Sequence, residues 1–189
     1  LLYADCISLA AHSNITIRLT DTHDLTTERL YISSHDTGNS VKAILFQDSV
    51  TFVRFTSLNV LPGYLLVGKL LEVINKYKIN VISMASSNVS ISMVISASPD
   101  TLRIVQKELH KYAEMVIDEN MSVIHIIGSL HWKRTQVESH IMNTIKDIPI
   151  SQISYGGSDQ CFTLSVHTTD KNRLISLLAA HFFENEFAT

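Results

Sequence analysis

Cysteine is scarce in this sequence: the 189 residues contain two, Cys6 and Cys161. So wide a separation gives neither a disulfide framework nor the paired spacing of a zinc site, and it suits a reducing, cytoplasmic compartment. Glycine is sparse as well. The six glycines, at positions 38, 63, 68, 128, 156 and 157, never approach the spacing of a phosphate-binding loop or a dinucleotide fingerprint. No apolar run approaches the roughly 20 residues that a bilayer span needs. The opening LLYADCISLAAH carries Asp5 and has no basic leader, unlike a signal peptide. No membrane partner is expected. Charge of one sign is lacking too, with 15 Lys and Arg against 18 Asp and Glu and a net charge of -3. The basic residues are dispersed, so nucleic acid is not an expected partner.

What is present is a core. A hydrophobic content of 46% with 17% charged residues fits a globular protein, and the length allows one large or two small domains. Periodicity is clearest in residues 50–96. In residues 50–56, Val53 and Phe55 fall on one face of a predicted strand and Val50 and Phe52 on the other. Pro62 and Gly63 then supply a turn that opens a helix. Leu66, Leu70, Ile74 and Tyr77, flanked by Val67, Leu71 and Val73, form its apolar stripe, with Lys69, Glu72, Asn75 and Lys76 opposite. Strands follow, the last with Val89, Ile91, Met93 and Ile95 alternating with Ser90, Ser92, Val94 and Ser96.

Flanking segments extend the pattern. Residues 1–12 read as a helix, residues 14–19 (NITIRL) as a strand, residues 30–32 as a second apolar patch and residues 33–40 as a linker. Residues 41–46 (VKAILF) are a further strand. Ser98-Pro99-Asp100 is a helix start in which Ser98 caps, Pro99 takes the first helical position and Asp100 suits the positive end of the dipole. Leu102, Val105, Leu109 and Tyr112 give that helix its buried face. Residues 113–118 and 121–127 read as two strands joined by a polar turn.

The order then repeats. A helix carrying Val137, Ile141 and Ile145 follows, then strands over 149–155 and 160–166 around a Gly156-Gly157 turn. The last helix, capped by Thr169-Asp170, contains Leu174, Leu177, Leu178 and Phe182. Ile79 and Ile150, or Asp100 and Asp170, are offset by about 70 residues, the mark of a duplicated unit. Two βαββα-type modules fit this order.

The run SLNVLPGYLLVGKLLEVINKYKINV, followed by ISMASSNVSIS, resembles the first ACT domain in the regulatory region of aspartate kinases. The resemblance continues to Phe183. It implies an α+β fold of two ferredoxin-like βαββαβ (ACT) modules, over residues 41–118 and 119–189, in a family whose two units can exchange or share strands, so that the pattern leaves open which module owns residues 41–46 and 113–118. Residues 1–40 then correspond to a short remnant of the α/β amino-acid-kinase domain and a linker. There, relatives carry a segment similar to LYPPT followed by NIPIRI; here Tyr3 is kept, and Ala4 and Asp5 replace the prolines.

Several functional expectations come with the resemblance. The parent would transfer phosphoryl from ATP, with Mg, to the side-chain carboxylate of L-aspartate. This chain lacks the Lys-Phe-Gly-Gly-Thr type sequence of the kinase domain, so it holds no catalytic residue, cofactor or metal and is expected to be inactive alone. Its partners would be an amino-acid effector, lysine or another aspartate-family end product, and a second copy in a homodimer through the ACT modules.

Carried over by position, the effector-binding residues are Val60, Pro62, Gly63, Tyr64, Leu65, Leu66 and Val67 in the helix-opening loop, Asn80, Val81 and Ile82 in a strand, and Ser86, Ser87 and Asn88 in the neighbouring turn. Amides at a helix N-terminus suit a carboxylate, and Ser86 or Ser87 would offer a hydroxyl. Two acids common in lysine-sensing relatives are replaced, by Ile82 and by Asn88, which predicts weak or absent lysine binding. Ser90 and Ser92 read either as a face toward a sister sheet or as a solvent face. Trp132 and Tyr155 read as packing residues. Tyr155-Gly156-Gly157-Ser158 resembles the corresponding turn of the second ACT unit, where turn geometry already accounts for glycine. The rival readings are a diverged ACT pair that senses amino acids without an attached kinase, and a purely structural dimerisation module.

Overall fold

The computed structural model describes residues 3–19, 30–32, 41–58, 62–130 and 135–184. The chain divides into two compact units, Leu1–Asn39 and Ser40–Thr189. The first contains helix α1 (Ala4–His12) and an antiparallel pair, β1 (Ile17–Leu19) with β2 (Leu30–Ile32), in which Arg18 lies opposite Tyr31.

The second unit begins with β3 (Val41–Ser57), a single strand of 17 residues. It continues through α2 (Gly63–Lys76), β4 (Asn80–Ser86), β5 (Ser90–Ser96), α3 (Pro99–Leu109) and the 16-residue β6 (Ala113–Gly128). Helix α4 (Thr135–Thr144), β7 (Gln152–Ser154), β8 (Cys161–His167) and α5 (Thr168–Ala179) complete it, with a π turn at Ala180–Glu184. The six strands among the described residues of this unit belong to one antiparallel sheet in the order β4-β5-β3-β6-β8-β7.

Two expectations on strand boundaries are corrected here. Residues 41–46 and 50–56 are not separate strands, and neither are 113–118 and 121–127. The polar interruptions Gln47-Asp48-Ser49 and Glu119-Asn120 lie where β3 and β6 face each other, and pairing resumes past them, with Gln47 opposite Val123 and Val50 opposite Met121. Ser49 and Asn120 take positive φ, 58° and 60°, and the register shifts there are bulges. A polar stretch can interrupt the ladder without ending the strand, because at a bulge pairing is lost only locally and continues on either side.

The long strands make the two halves interdependent. The second half of β3 and the first half of β6 sit beside β5 and β4; the first half of β3 and the second half of β6 sit beside β8. In each half the strands run second, third, first, fourth across the sheet, the order of a ferredoxin-like βαββαβ fold. Residues 41–47 supply the fourth strand of the second half although they precede the first. The division expected at 118/119 falls inside β6.

Each half buries its helices on one sheet face. Leu66, Leu70, Val73 and Ile74 of α2 and Leu102, Val105 and Leu109 of α3 pack on Val53, Phe55, Ile91, Met93 and Ile95. Val137 and Ile141 of α4 and Leu174 and Leu178 of α5 pack on Ile124, Ile126, Phe162, Leu164 and Val166. A third cluster, Val50, Phe52, Val94, Met121 and Val123, lies on the opposite face, against Ile82. This explains why β3 is apolar on both faces at its centre, the pattern of a strand covered on both sides.

Helix boundaries follow local chemistry with some departures. Ser98 caps α3, accepting from the Thr101 amide at 3.2 Å, with Pro99 at the first position. Helix α5 is capped by the His167 ring accepting from the Thr169 amide, not by Thr169-Asp170, so its cap lies two residues before Thr169. Leu71 is 45% exposed, off the buried stripe to which it was assigned. Strand β7 is only three residues of the expected seven, since residues 149–151 cross the edge without a full ladder. Trp132 lies outside the described residues.

Candidate functional site

The opening of α2 is built by its sequence. Pro62 sits at the N-cap in an extended conformation (φ -53°, ψ 146°) and offers no side-chain cap. Its carbonyl accepts from the amides of Leu65 (2.9 Å) and Leu66 (3.1 Å). The expectation that amides from Gly63 to Leu66 stand ready for a carboxylate therefore narrows to Gly63 and Tyr64, the first donors of the helix.

Opposite lies the β4–β5 turn. The Ser87 hydroxyl accepts from the Ser90 amide (3.0 Å), lies 3.0 Å from the Ser90 hydroxyl, and the Ser87 amide donates to the Ser90 carbonyl (2.8 Å). Ser87 is thus a brace inside its own turn, and the free hydroxyl at this rim is that of the exposed Ser86. The two loops meet at Gly63: a Cβ built there would lie 2.5 Å from the Asn88 carbonyl oxygen. Glycine is needed for this backbone approach, independently of its backbone angles.

Between the loops is an open cleft of about 600 Å³, lined by Pro62, Gly63, Tyr64, Val67, Ser86, Ser87 and Asn88. The other residues carried over by resemblance lie elsewhere. Leu66 is buried beneath α2, Leu65 is exposed beside the cleft, Asn80 is exposed on β4, and Val81 packs against the first core. Ile82 packs against the third cluster on the far face of the sheet. The β4 register shifts between Val81 and Ser83, and a shift of one residue exchanges faces. Val60 lies outside the described residues. None of the seven lining residues carries a carboxylate.

The sequence reading missed a second hollow, about 400 Å³, between the C-terminal ends of α2 and α3. Glu108 there accepts from Lys76 Nζ and Tyr77 Oη, both at 2.5 Å, and these hydrogen bonds hold its carboxyl below the usual range. The available signal was the run of lysines at 69, 76, 107 and 111, but their convergence depends on how two helices pack. Tyr155, expected as packing, stacks at 5.1 Å from Phe162 and also shares its hydroxyl between the Leu130 carbonyl (3.0 Å) and the Glu138 carboxylate. The Glu138 bond pushes its pKa up to about 12.

No protein-family model matches the sequence. Aspartokinase 3, chloroplastic, of Arabidopsis thaliana is 26% identical over 189 residues, covering 94% of this chain and 34% of that protein. A solved structure from Porphyromonas gingivalis W83, described as a C-terminal regulatory domain of aspartate kinase, is 28% identical with a TM-score of 0.69, covering 77% of this chain and 99% of the other. This chain is a homologue of the aspartokinases. The aspartokinase homology is matched in fold, because the sheet and helices are those of an aspartokinase ACT regulatory region. Escherichia coli aspartokinase III in complex with lysine and aspartate shares the fold with a TM-score of 0.79 at 19% identity, over 97% of this chain and 42% of that one. The chain spans about a third of the length of the curated aspartokinase it matches. Among its described residues, no helix is long and apolar enough to cross a membrane.

Proposed function

We propose that this chain is the C-terminal regulatory region of an aspartate kinase and that it binds an amino-acid effector in the cleft between Gly63 and Ser86. The observation that carries this reading is the close approach of the α2 N-terminus to the Asn88 turn. Gly63 and Tyr64, the first residues of the helix, line the open cleft, where a carboxylate is favoured by the first donors of a helix and by its dipole. The parent enzyme would transfer phosphoryl from ATP, with Mg, to L-aspartate in a domain outside this chain. Residues 1–40 would be the end of that domain. Modules 41–118 and 119–189, trading half-strands, would pair with a second copy. The location would be cytoplasmic.

The effector would act by binding the active and inhibited arrangements unequally, since equal affinity shifts no equilibrium. A lysine side chain would meet no carboxylate in the cleft lining, and an unpaired ammonium held out of water costs several kcal/mol. Lysine would therefore bind weakly here, and an effector without a second ammonium would bind better.

Calorimetric and thermal-shift titrations with lysine, threonine, methionine and S-adenosylmethionine test this. A ligand at 100 times its dissociation constant stabilises by about 2.7 kcal/mol. A response to one of them that is lost in Ser86→Ala or Tyr64→Ala supports the cleft as the site. No response from a folded, dimeric chain would favour the structural dimerisation module.

A further inference from the structure

Strands β4 and β7, the two edges of the six-stranded sheet, lie against each other. Because the helices occupy one face, the edges can meet only across the other, so the sheet is curled and its helix-free face is the inside. The edges form no ladder with each other among the described residues: β4 pairs with β5 and β7 with β8. The inside is apolar at its centre, where Val50, Phe52, Val94, Met121 and Val123 pack with Ile82 of β4.

One row departs from that pattern. Ser165 of β8 stands opposite Val123 on one side and opposite Gln152 of β7 on the other, and residues directly opposite share a face. Gln152 and Ser165 therefore point to the inside of the curl, beside the apolar cluster. Gln152 is 6% exposed and Ser165 1%. Among the described residues, Gln152 Nε2, Gln152 Oε1 and Ser165 Oγ all lack a hydrogen-bond partner, so the two cross-strand neighbours do not bond to each other either. A buried amide or hydroxyl is costly unless something pairs with it, and here three such atoms lie in one row.

We propose that Gln152 and Ser165 form a binding site for an internal water molecule. The atoms match that ligand: Nε2 donates, Oε1 accepts and the hydroxyl does both. None carries a charge to be neutralised, which favours a small neutral molecule over an ion. A buried water takes about two to four polar partners, and this pair supplies three polar atoms. The bridge holds β7 of the second half at the seam where β4 of the first half closes the sheet, so the contact between the halves includes a hydrated polar row beside its apolar cluster.

Water-¹⁷O relaxation dispersion on the whole folded chain tests the site, since it registers only water molecules that stay longer than the protein takes to tumble. The dispersion is expected to fall by the contribution of one long-lived water in Gln152→Met. An unchanged dispersion in that folded variant overturns the proposal. Urea midpoints add a test of sign: Gln152→Met and Ser165→Ala should each lower the midpoint, because removing one member of the bridge strands the others. A rise in either, the result for a dry row relieved of an unpaired group, overturns it. A crystal structure of the wild-type chain decides should the variants not fold. Ordered water within hydrogen-bond distance of both side chains is expected, and its absence, or a direct Gln152–Ser165 bond, overturns the proposal.

Discussion

Asp48 and Lys171, 123 positions apart in sequence, meet at 2.6 Å where the β3 bulge reaches the first turn of α5. The other Asp48 oxygen accepts from the buried Ser122 hydroxyl at 2.6 Å, and Thr168 donates to the Asn120 carbonyl at 2.7 Å. One network thus joins the bulges of both long strands to the helix that follows β8. Lys171 also lies 4.6 Å over the Phe46 ring.

Asp48→Asn and Lys171→Met should each lower the midpoint of thermal unfolding, and the double variant should lose less than the sum. The bonds to Lys171 and Ser122 lower the Asp48 pKa. Its contribution is therefore present above the ordinary carboxylate pKa and lost as pH falls through the depressed folded value. The difference between wild type and Asp48→Asn should be present at pH 7 and vanish in strong acid, as followed by melts across that range.

Two glycines should respond in opposite directions to alanine. At Gly63 the new Cβ meets the Asn88 backbone at 2.5 Å, whereas at Gly68, in the middle of α2, nothing lies within 4 Å. Gly63→Ala should destabilise by about 1–3 kcal/mol as the turn is forced away. Gly68→Ala should stabilise by roughly 0.5–1 kcal/mol through helix propensity. Urea midpoints measure both, and loss of effector response in Gly63→Ala alone would connect the close approach to the cleft.

Adjacent leucines on α2 provide a test of its rotation. Leu70 is fully buried and Leu71 is 45% exposed. Leu70→Ala should cost about 2–5 kcal/mol, and Leu71→Ala should stay within about 0.5 kcal/mol. Similar losses at both would mean that another surface covers Leu71.

Tyr155 should titrate apart from the other tyrosines. Its pKa is raised, so the favourable hydrogen bond to Glu138 is fully present below the ordinary tyrosine pKa and is lost as pH rises through about 12. An ultraviolet titration of wild type against Tyr155→Phe should assign the last tyrosine to ionise to this position. Tyr155→Phe should also destabilise by about 1–3 kcal/mol at neutral pH, because Glu138 Oε2 already lacks a partner and its other oxygen would lose one.

The sequence by itself determined the features set by neighbours along the chain. The 3.6-residue period placed Leu66, Leu70 and Ile74 on the buried side of α2, Ser98-Pro99 fixed the start of α3, and the offset of about 70 residues between Asp100 and Asp170 marked the repeat. Each depends on contacts within a few residues, where spacing alone decides which side chains share a face.

Only the tertiary structure decided which residues meet across long separations. Nothing local says that Val41 pairs with Gly128, that Asp48 holds Lys171, or that Ile82 turns to the far face while Ser86 stays at the cleft. Ser87 reads as a ligand hydroxyl until the turn that consumes it is folded, and Gly63 reads as a turn residue until Asn88 arrives against it. The physical reason is that burial and hydrogen bonding are satisfied by whichever groups the packed sheet brings together. That choice is made by the competition of the whole chain for one core, not by the period of any segment.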